Sequence, residues 1–299
     1  MADRRDMPRT DVSFDLGDPV AMRDLFNEAA SLNLSCPLRR GAVVELPEEG
    51  RAVLTGDLHD ARGHLGKLLK LSRISYSENY HLVLQETIHG EDLVNGLDLS
   101  YRCLAEIAEQ KVLRPDQVHH VQSNHELAQM NGEGIVKGSV SVVDAFNDGL
   151  ESVFGGDAGR VGDAIGRYIG TLPLAVRCAN GVMCAHSLPN GSQLRTFDAG
   201  VMDRRLTADD MSAPSGAAYV MTWGRSYTDR TAEELAERWG VELFVLGHQH
   251  VEMGWDVLGS RVLILNTDHE YAHALPVDLS RRYTLNELMD EVVALRDVE

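Results

Sequence analysis

Strand-like and helix-like segments alternate three times between residues 51 and 130, and this alternation limits the fold more than any other feature of the chain. The apolar segment RAVLTG precedes the helical pattern HLGKLLKL, HLVLQE precedes a helical pattern over 92–113, and QVHHVQ precedes SNHELAQM. Strands separated by helices in this way pair in parallel, with the helices packed against the sheet. The pattern therefore predicts an α/β fold.

The segments that flank this unit complete the expected organisation. Further helical or strand-like patterns lie at 19–34, 42–47, 139–170, 234–240 and 284–298. Asn180-Gly181 and Gly259-Ser260 each lie between two apolar runs, and this indicates two hairpins. The organisation predicts an N-terminal extension with one helix over 1–50, a main domain over 51–275 and a C-terminal helix over 276–299.

Acidic residues outnumber basic ones by 46 to 28, so the chain has a formal net charge of −18. Nonspecific binding to nucleic acid or anionic membrane depends on basic charge, so we expect neither partner. No apolar run approaches the roughly 20 residues of a membrane span, and the N-terminus lacks the apolar region of a signal peptide. The four cysteines form no C-x-x-C pair. This is typical of a reducing compartment, so we expect a cytoplasmic protein.

Side chains that can bind metal follow several of the predicted strands. They are Asp57, His59, Asn124, His186, His248 and His250. Each alone is ordinary, since an Asp after a strand commonly caps a turn and an Asn commonly caps a helix. In an open α/β sheet, however, the carboxyl ends of the strands form one edge, where ligands bind. Carboxylate, amide and imidazole together suit Mn, Fe or Zn, so the set predicts a metal centre.

The order of these segments resembles the calcineurin-like metallophosphoesterases. The chain has G-D-x-H at 56–59, N-H-E at 124–126, an isolated His186 after a hairpin and G-H-x-H at 247–250. The stretch GHQHVEMGW is similar to the A-H-Q-x-V-x-x-G-Y/W stretch of the phosphoprotein phosphatase branch. The resemblance covers residues 51–266 and implies a four-layer α/β/β/α sandwich with two mixed sheets.

The family holds two divalent metal ions, and the resemblance implies their ligands residue by residue. The ligands of the first ion would be Asp57, His59 and His250, and those of the second would be Asn124, His186 and His248. Glu86 stands where the family has an Asp that bridges the two ions. Because Glu is longer by one methylene, the bridge requires a change in the backbone or in the distance between the ions.

Two family motifs are altered in this chain. In the family's G-D-x-x-D-R-G motif, the second Asp orients the catalytic His and the Arg binds the phosphate. His89 and Gly90 stand at those two positions. Asp60 replaces the last Gly of the family's G-D-x-H-G motif. The loss of the Asp and the Arg affects catalysis more than metal binding.

The resemblance implies metal-assisted hydrolysis, in which a hydroxide that bridges the two ions attacks phosphorus in line. His125 would be the general acid that protonates the leaving oxygen. His89, Glu91 or Asp92 could take the place of the carboxylate that orients this His in the family.

An arginine elsewhere in the chain could replace the missing phosphate ligand. Arg225, in the segment MTWGRS, lies where some bacterial relatives carry W-x-R. A guanidinium fork suits a phosphate group. The competing interpretation is a surface arginine beside a packed Trp223, and Arg62 is a weaker candidate for the same role.

The leading hypothesis is a metal-dependent phosphomonoesterase that acts on a phosphoprotein or a small phosphoester. A nucleotide or dinucleoside polyphosphate hydrolase is an alternative in another substrate class. A degenerate phosphatase fold that binds metal or a partner without turnover is the non-enzymatic alternative. The presence of His125 favours an enzyme, because a site that has lost its catalytic activity does not require the general acid.

Overall fold

Two β-sheets face each other in the computed structural model, which describes residues 15–137 and 140–299. Residues 1–14 of the expected N-terminal extension and residue 139 of the expected helical stretch lie outside the described residues. In chain order the strands are β1 (Arg39–Arg40), β2 (Val43–Leu46), β3 (Arg51–Asp57), β4 (Tyr80–Gln85), β5 (Val118–Val121), β6 (Val136–Lys137), β7 (Val140–Ser141), β8 (Ala175–Cys178), β9 (Val182–Ala185), β10 (Leu243–Leu246), β11 (Trp255–Leu258), β12 (Val262–Leu265), β13 (His273–Asp278) and β14 (Val293–Ala294).

Helices separate many of these strands. They are α1 (Pro19–Ser35), α2 (Arg62–Ser72), α3 (Tyr101–Leu113), α4 (Asn124–Asn131), α5 (Val142–Phe154), α6 (Ala158–Ile169), α7 (Ala217–Trp223), α8 (Asp229–Trp239) and α9 (Leu285–Asp290). Short 3-10 turns lie at Gly155–Asp157, Ala199–Asp203 and Leu295–Asp297. None of the helices in the described part of the chain is long and apolar enough to cross a membrane.

The larger sheet has the order β1-β2-β8-β9-β10-β12-β11, and the smaller has the order β14-β13-β3-β4-β5. Strands β3, β4 and β5 pair in parallel, as the alternating pattern predicts. The two predicted hairpins, β8–β9 and β11–β12, are antiparallel. Strand β2, which lies before residue 51, joins the larger sheet, and β13 crosses residue 275. The two sheets therefore include residues from both sides of each expected domain boundary, and the division into domains stays a prediction.

Apolar residues on both faces of each sheet build the layers. Alternate residues of β4 point to opposite sides. Val83 packs in the core between the two sheets, whereas Leu82 and Leu84 pack against helices. Helices α2 and α3 cover the smaller sheet, and α7 and α8 cover the larger one. The four-layer α/β/β/α sandwich with two mixed sheets is therefore confirmed.

The helix expected over 92–113 is shorter in the structure. Helix α3 begins at Tyr101, and residues 92–100 form a loop. Asn95 and Gly96 have φ angles of 54° and 84°, which place them in the left-handed region. An α-helix of L-residues excludes this conformation, so the Asn-Gly turn delays the helix although the apolar spacing runs through it.

The helix expected over 284–298 also ends early. Thr284 caps it through a capping box with Glu287, but α9 stops at Asp290. The residues that follow include β14, which pairs with β13, a strand that the sequence analysis did not anticipate. Pairing with the edge of the sheet therefore overrides the helical pattern of the local sequence.

Two buried histidines lie against each other at the amino ends of β4 and β5. His81 Nδ1 lies 3.4 Å from His119 Nε2, and the ring centroids are 5.5 Å apart. Burial lowers the pKa of His81 to about 4 and lowers the pKa of His119 well below its ordinary value. The folded state therefore keeps both rings neutral at a pH where the unfolded chain takes up protons.

We expect the free energy of unfolding to fall as the pH drops from about 6.5 toward 4, because the unfolded state then binds more protons than the folded state. His119→Phe removes one of these groups. Between about pH 7.5 and pH 5 the variant should lose about 2 kcal/mol less stability than the wild type. Urea unfolding of the metal-free proteins measures this difference. Equal losses would mean that folded His119 takes up a proton as readily as an unfolded histidine.

Candidate metal centre

Five side chains converge at the carboxyl ends of strands from both sheets. Asp57 ends β3, Glu86 follows β4, Asn124 begins α4 after β5, His186 follows β9, and His248 lies just after β10. His186 is at the centre of the group. Its ring nitrogens lie 3.6 Å from Asp57 Oδ1, 3.5 Å from Glu86 Oε1, 2.7 Å from Asn124 Oδ1 and 3.1 Å from His248 Nδ1.

Two glycines of the motifs are required by close contacts at this site. A Cβ atom at Gly56 would lie 1.8 Å from the carbonyl oxygen of Leu265, at the end of β12 in the other sheet. A Cβ atom at Gly247 would lie 2.1 Å from Asp57 Oδ1. Gly56 thus lets β3 approach the opposite sheet, and Gly247 leaves room for the Asp57 carboxylate.

Backbone strain is concentrated at the same place. Seven non-glycine residues have a positive φ angle in the described part of the chain, and five of them belong to this region: His59, Asp60, Glu86, His89 and His248. Such conformations persist only where surrounding contacts enforce them. The His59 N–H donates to the Glu86 carbonyl at 2.8 Å, and the His248 N–H donates to the Asp57 carboxylate at 2.8 Å.

The buried side chains form two groups that could each hold a metal ion. One consists of His59, Glu86 and His125, and the other of Glu86, His186 and His248. Within each group the potential ligand atoms lie within 4.8 Å of one another. Glu86 belongs to both groups, since its Oε2 lies 3.5 Å from His59 Nε2 and its Oε1 lies 3.5 Å from His186 Nε2.

Gln85 determines which nitrogen of His186 carries the hydrogen. The Gln85 amide donates to the Thr55 carbonyl at 2.7 Å, and its oxygen accepts from His186 Nδ1 at 2.8 Å. The neutral His186 ring therefore has a lone pair at Nε2. That nitrogen faces Asn124 Oδ1 at 2.7 Å, so two hydrogen-bond acceptors meet with no proton between them. A cation between them would satisfy both.

The electrostatics of the site fit a cation as well. Burial raises the pKa of Asp57 to about 7, although the Glu86 side chain and the His248 N–H partly offset this. Burial also lowers the pKa of His248 to about 3 and that of His186 well below its ordinary value. Neutral imidazoles with free lone pairs are the metal-binding form. His248 Nε2 has no hydrogen-bond partner among the described residues. The site therefore offers neutral imidazole nitrogens beside the Asp57 and Glu86 carboxylates, a donor set that suits a divalent cation.

His125, the candidate general acid, belongs to the first of the two buried groups. Its Nε2 is 3.8 Å from Glu86 Oε1, and its ring meets that of His59 edge-on at 4.9 Å. Its other nitrogen, Nδ1, lies 2.9 Å from Nδ1 of the buried His89. Glu91 and Asp92, the other two candidates for orienting it, are exposed.

The two candidate arginines differ in their surroundings. Arg225 follows α7 with an exposed side chain, and its Nη1 donates to the His248 carbonyl at 2.7 Å. Burial is the largest cause of the low pKa of His248, and the positive charge of Arg225 is the second largest. Arg62 instead forms an ion pair with Glu106. The structure thus places Arg225 beside the candidate centre.

His250 lies apart from the two ligand groups. Its side chain is exposed, and its ring lies 5.4 Å from that of His269. Neither group of potential ligands in the described residues includes it. Its assignment to the first ion therefore stays a prediction.

Residues 50–252 match the family described as calcineurin-like phosphoesterase, which is more than half of the chain. The chain belongs to the calcineurin-like phosphoesterase family. A search of curated protein sequences finds no match. The family assignment confirms the resemblance drawn from the G-D-x-H, N-H-E and G-H-x-H segments.

Two solved phosphatase structures are similar to this calcineurin-like phosphoesterase. A protein serine/threonine phosphatase from Saccharomyces cerevisiae, with similarity to human phosphatase PP5, has a TM-score of 0.67 and 13% identity, over 92% of this chain and 88% of that one. A cold-active protein-tyrosine phosphatase of a psychrophilic Shewanella species has a TM-score of 0.55 and 14% identity, over 84% and 80%. At these identities the likeness shows the fold, and it matches the branch indicated by the sequence motifs.

The two altered motifs of this calcineurin-like phosphoesterase are in contact with each other. A Cβ atom at Gly90 would lie 2.8 Å from the Cβ of Asp60 and 3.0 Å from the His59 carbonyl oxygen. An Arg at position 90 would therefore collide with Asp60 unless one of them moved. The side chain gained at Asp60 and the side chain lost at Gly90 are sterically coupled, so the two departures form one rearrangement.

Glu126, the acid of N-H-E, holds two strand ends together. It accepts hydrogen bonds from the Thr87 N–H at 2.7 Å, from the Thr87 hydroxyl at 2.9 Å and from the Ser123 hydroxyl. Burial alone would raise the pKa of Glu126, but these bonds and the nearby His120 hold it at about 2. Glu126 thus ties the segment after β4, which carries Glu86, to the start of α4.

The sequence analysis missed Gln85 and gave no role to Glu126. Gln85 is a fully buried polar residue at the end of an otherwise apolar strand, and that contrast with HLVL was a visible signal. Its partner His186 lies on another sheet, however, so the sequence offered no means of pairing the two residues.

Proposed function

We propose that this calcineurin-like phosphoesterase is a metal-dependent phosphomonoesterase. The observation that carries the proposal is the convergence of acceptor atoms from Asn124, Glu86 and His186, because such a set suits a divalent cation. The two solved structures compared above are protein phosphatases, and this favours a phosphoprotein or a small phosphoester as the substrate. Four buried free cysteines agree with action in the cytoplasm.

The proposed cofactor is a pair of divalent ions, Mn, Fe or Zn, with Glu86 between them. Glu86 is the residue that the two buried ligand groups share, and this supports its role as the bridge. When bound, the ions would activate a water molecule and neutralise charge on the phosphoryl oxygens. The other proposed ligands are Asp57, His59, Asn124, His186, His248 and His250, of which the exposed His250 has the least support.

We assign the general acid to His125. Its Nε2 lies 3.8 Å from Oε1 of Glu86, the residue that the two ligand groups share. As the phosphorus–oxygen bond breaks, its electron pair goes to the leaving oxygen, and His125 supplies a proton to that oxygen. The position of Arg225 beside His248 supports its role in binding the phosphate. Its exposed guanidinium can present several N–H groups to phosphate oxygens.

Glu86→Gln should reduce the number of tightly bound metal ions, because the neutral amide leaves the repulsion between two dications uncompensated. After reloading with Mn²⁺, elemental analysis should approach about two ions per chain in the wild type and at most about one in the variant. Asp60→Asn is the matched control, since Asp60 is a neighbouring carboxylate outside both ligand groups. The proposed bridge is wrong if Glu86→Gln still binds two ions tightly.

His125→Ala should slow the hydrolysis of phenyl phosphate by about 10² to 10⁴-fold. The loss should be much smaller for 2,4-dinitrophenyl phosphate, whose leaving group needs little protonation. Steady-state rates of both proteins measure the contrast. Equal losses for the two substrates would exclude His125 as the acid.

Phosphopeptides and diadenosine polyphosphates, assayed with the wild type, test the substrate class. Preference for the polyphosphates would favour the nucleotide hydrolase instead. No turnover of any of these substrates by protein that binds metal would favour the non-catalytic alternative.

Arg225→Lys should lower kcat/KM by about tenfold or more, because an ammonium group cannot reproduce the two-pronged contact of a guanidinium with phosphate. Arg230→Lys is the matched control, since Arg230 is an exposed arginine on the neighbouring helix α8. Inorganic phosphate should also inhibit Arg225→Lys less strongly than the wild type. Wild-type kinetics in Arg225→Lys and in Arg225→Ala would make Arg225 a surface residue without a role in the reaction.

A further inference from the structure

His89 occupies the position at which the G-D-x-x-D-R-G motif has a carboxylate. It is fully buried, with a φ angle of 62°, and its Nδ1 lies 2.9 Å from His125 Nδ1. Two imidazole nitrogens at this distance share one hydrogen, so one ring donates and the other accepts. The direction of this bond decides which nitrogen of His125 faces the metal centre with a lone pair or a transferable proton.

The contact at Nε2 of His89 determines the direction of the hydrogen bond between His89 and His125. His89 Nε2 lies 3.0 Å from Gln129 Oε1, and the Gln129 amide nitrogen donates to Asn147 Oδ1 at 2.9 Å. An amide oxygen can only accept, so the hydrogen of His89 is on Nε2. A neutral His89 then has a lone pair at Nδ1, where it accepts the Nδ1–H of His125. The bonds run in one direction, from His125 through His89 to Gln129.

This relay leaves Nε2 as the nitrogen of His125 that exchanges protons with the site. Nδ1–H is engaged by His89, and Nε2 is the atom that lies near Glu86. A carboxylate in place of His89 would accept the same Nδ1–H. His89 can therefore replace the carboxylate in geometry although it carries no negative charge.

We propose that His89, oriented by Gln129, is the positioning residue that holds His125 with its hydrogen on Nδ1 and its Nε2 directed at the leaving group. The proposal rests on the proposed function, since it assigns a partner to the general acid of that reaction. It makes the His125–His89–Gln129 chain the counterpart of a carboxylate–histidine pair.

Three elements hold His89 in place, as a positioning role requires. Its N–H donates to the Ser100 hydroxyl at 3.0 Å, just before α3. Gln129 belongs to α4, the helix that also carries His125. Phe146, on α5, meets the His89 ring edge-on at 5.7 Å. The backbone of His89 is thus held from the segment before α3, and its ring is held from α4 and α5.

Three carboxylates follow His89 closely in the sequence. Glu91 and Asp92 are exposed. Asp98 is buried, but its Oδ1 accepts the Ser100 N–H at 2.8 Å. Asp98 therefore supports the serine that binds the His89 backbone.

Leaving-group dependence tests the role of His89 in the reaction. His89→Phe should slow phenyl phosphate hydrolysis by about 10 to 10²-fold and 2,4-dinitrophenyl phosphate hydrolysis much less, because only the first needs a well-placed acid. His89→Asp should recover most of the loss, since it restores the carboxylate of the family motif. His119→Phe is the matched control: it is the same substitution at another fully buried histidine, and it should leave both rates unchanged.

Nitrogen-15 NMR of the imidazole rings tests the relay without reference to turnover. In zinc-loaded protein the His125 signal, identified by its loss in His125→Ala, should show a hydrogen on Nδ1. In His89→Phe the Nδ1–H signature should weaken or move to Nε2. Gln129→Met should cause part of the same change, because it removes the acceptor for His89 Nε2–H.

These two measurements separate failure of the inference from failure of the proposed function. If the protein hydrolyses no phosphate ester, the proposed function fails, and NMR still decides the His125 tautomer. If His125→Ala shows the leaving-group effect but His89→Phe slows both substrates equally, His89 has only a structural role. A wild-type His125 with its hydrogen on Nε2 overturns the inference outright.

Discussion

Several hydrogen-bond acceptor atoms lie close together around the buried His186, and the rest of the site depends on this arrangement. Asn124 Oδ1 and Glu86 Oε1 approach a nitrogen whose hydrogen is on the other side of the ring, bound to Gln85. Carboxylates and hydrogen-bond acceptors are costly to bury close together at this depth, and a bound cation would offset that cost. The surrounding structure holds these acceptors together, and they form the site at which we propose that metal ions bind.

Close backbone contacts hold the residues of the site in place. Gly56 allows β3 to lie against the other sheet, and Gly247 allows the Asp57 carboxylate to lie under the G-H-x-H turn. Glu126 fastens the segment after β4 to the start of α4 with several hydrogen bonds. The left-handed conformations of His59, Glu86 and His248 are strained, and such conformations persist where surrounding contacts enforce them.

The departures from the family motifs are local exchanges that preserve geometry. Compared with the family motifs, position 60 has gained a side chain and position 90 has lost one. A side chain at position 90 would occupy the space that Asp60 now fills. His89 contacts His125 from the position of the lost carboxylate, and Gln129 supplies the acceptor that a histidine needs at its second nitrogen. A motif that lacks the family's carboxylate can therefore still supply a hydrogen-bond acceptor at the same position.

Local sequence determined those features whose causes lie close together in the chain. The alternation of apolar strands and helices produced the parallel β3–β4–β5 unit, Asn180-Gly181 produced a hairpin, and Thr284 capped α9. Within each sheet, the ligand candidates that directly follow parallel strands lie at the same edge, because parallel strands end on the same side.

Only the tertiary structure decided the features whose causes lie far apart. Gln85 and His186 belong to different sheets, and His89 meets Gln129 only after α4 folds back over the loop that follows β4. Helix α9 ends at Asp290 because the residues beyond it include β14, which pairs with β13. In each case a hydrogen-bond partner remote in sequence outweighed the local preference, and no pattern of neighbouring residues records such a partner.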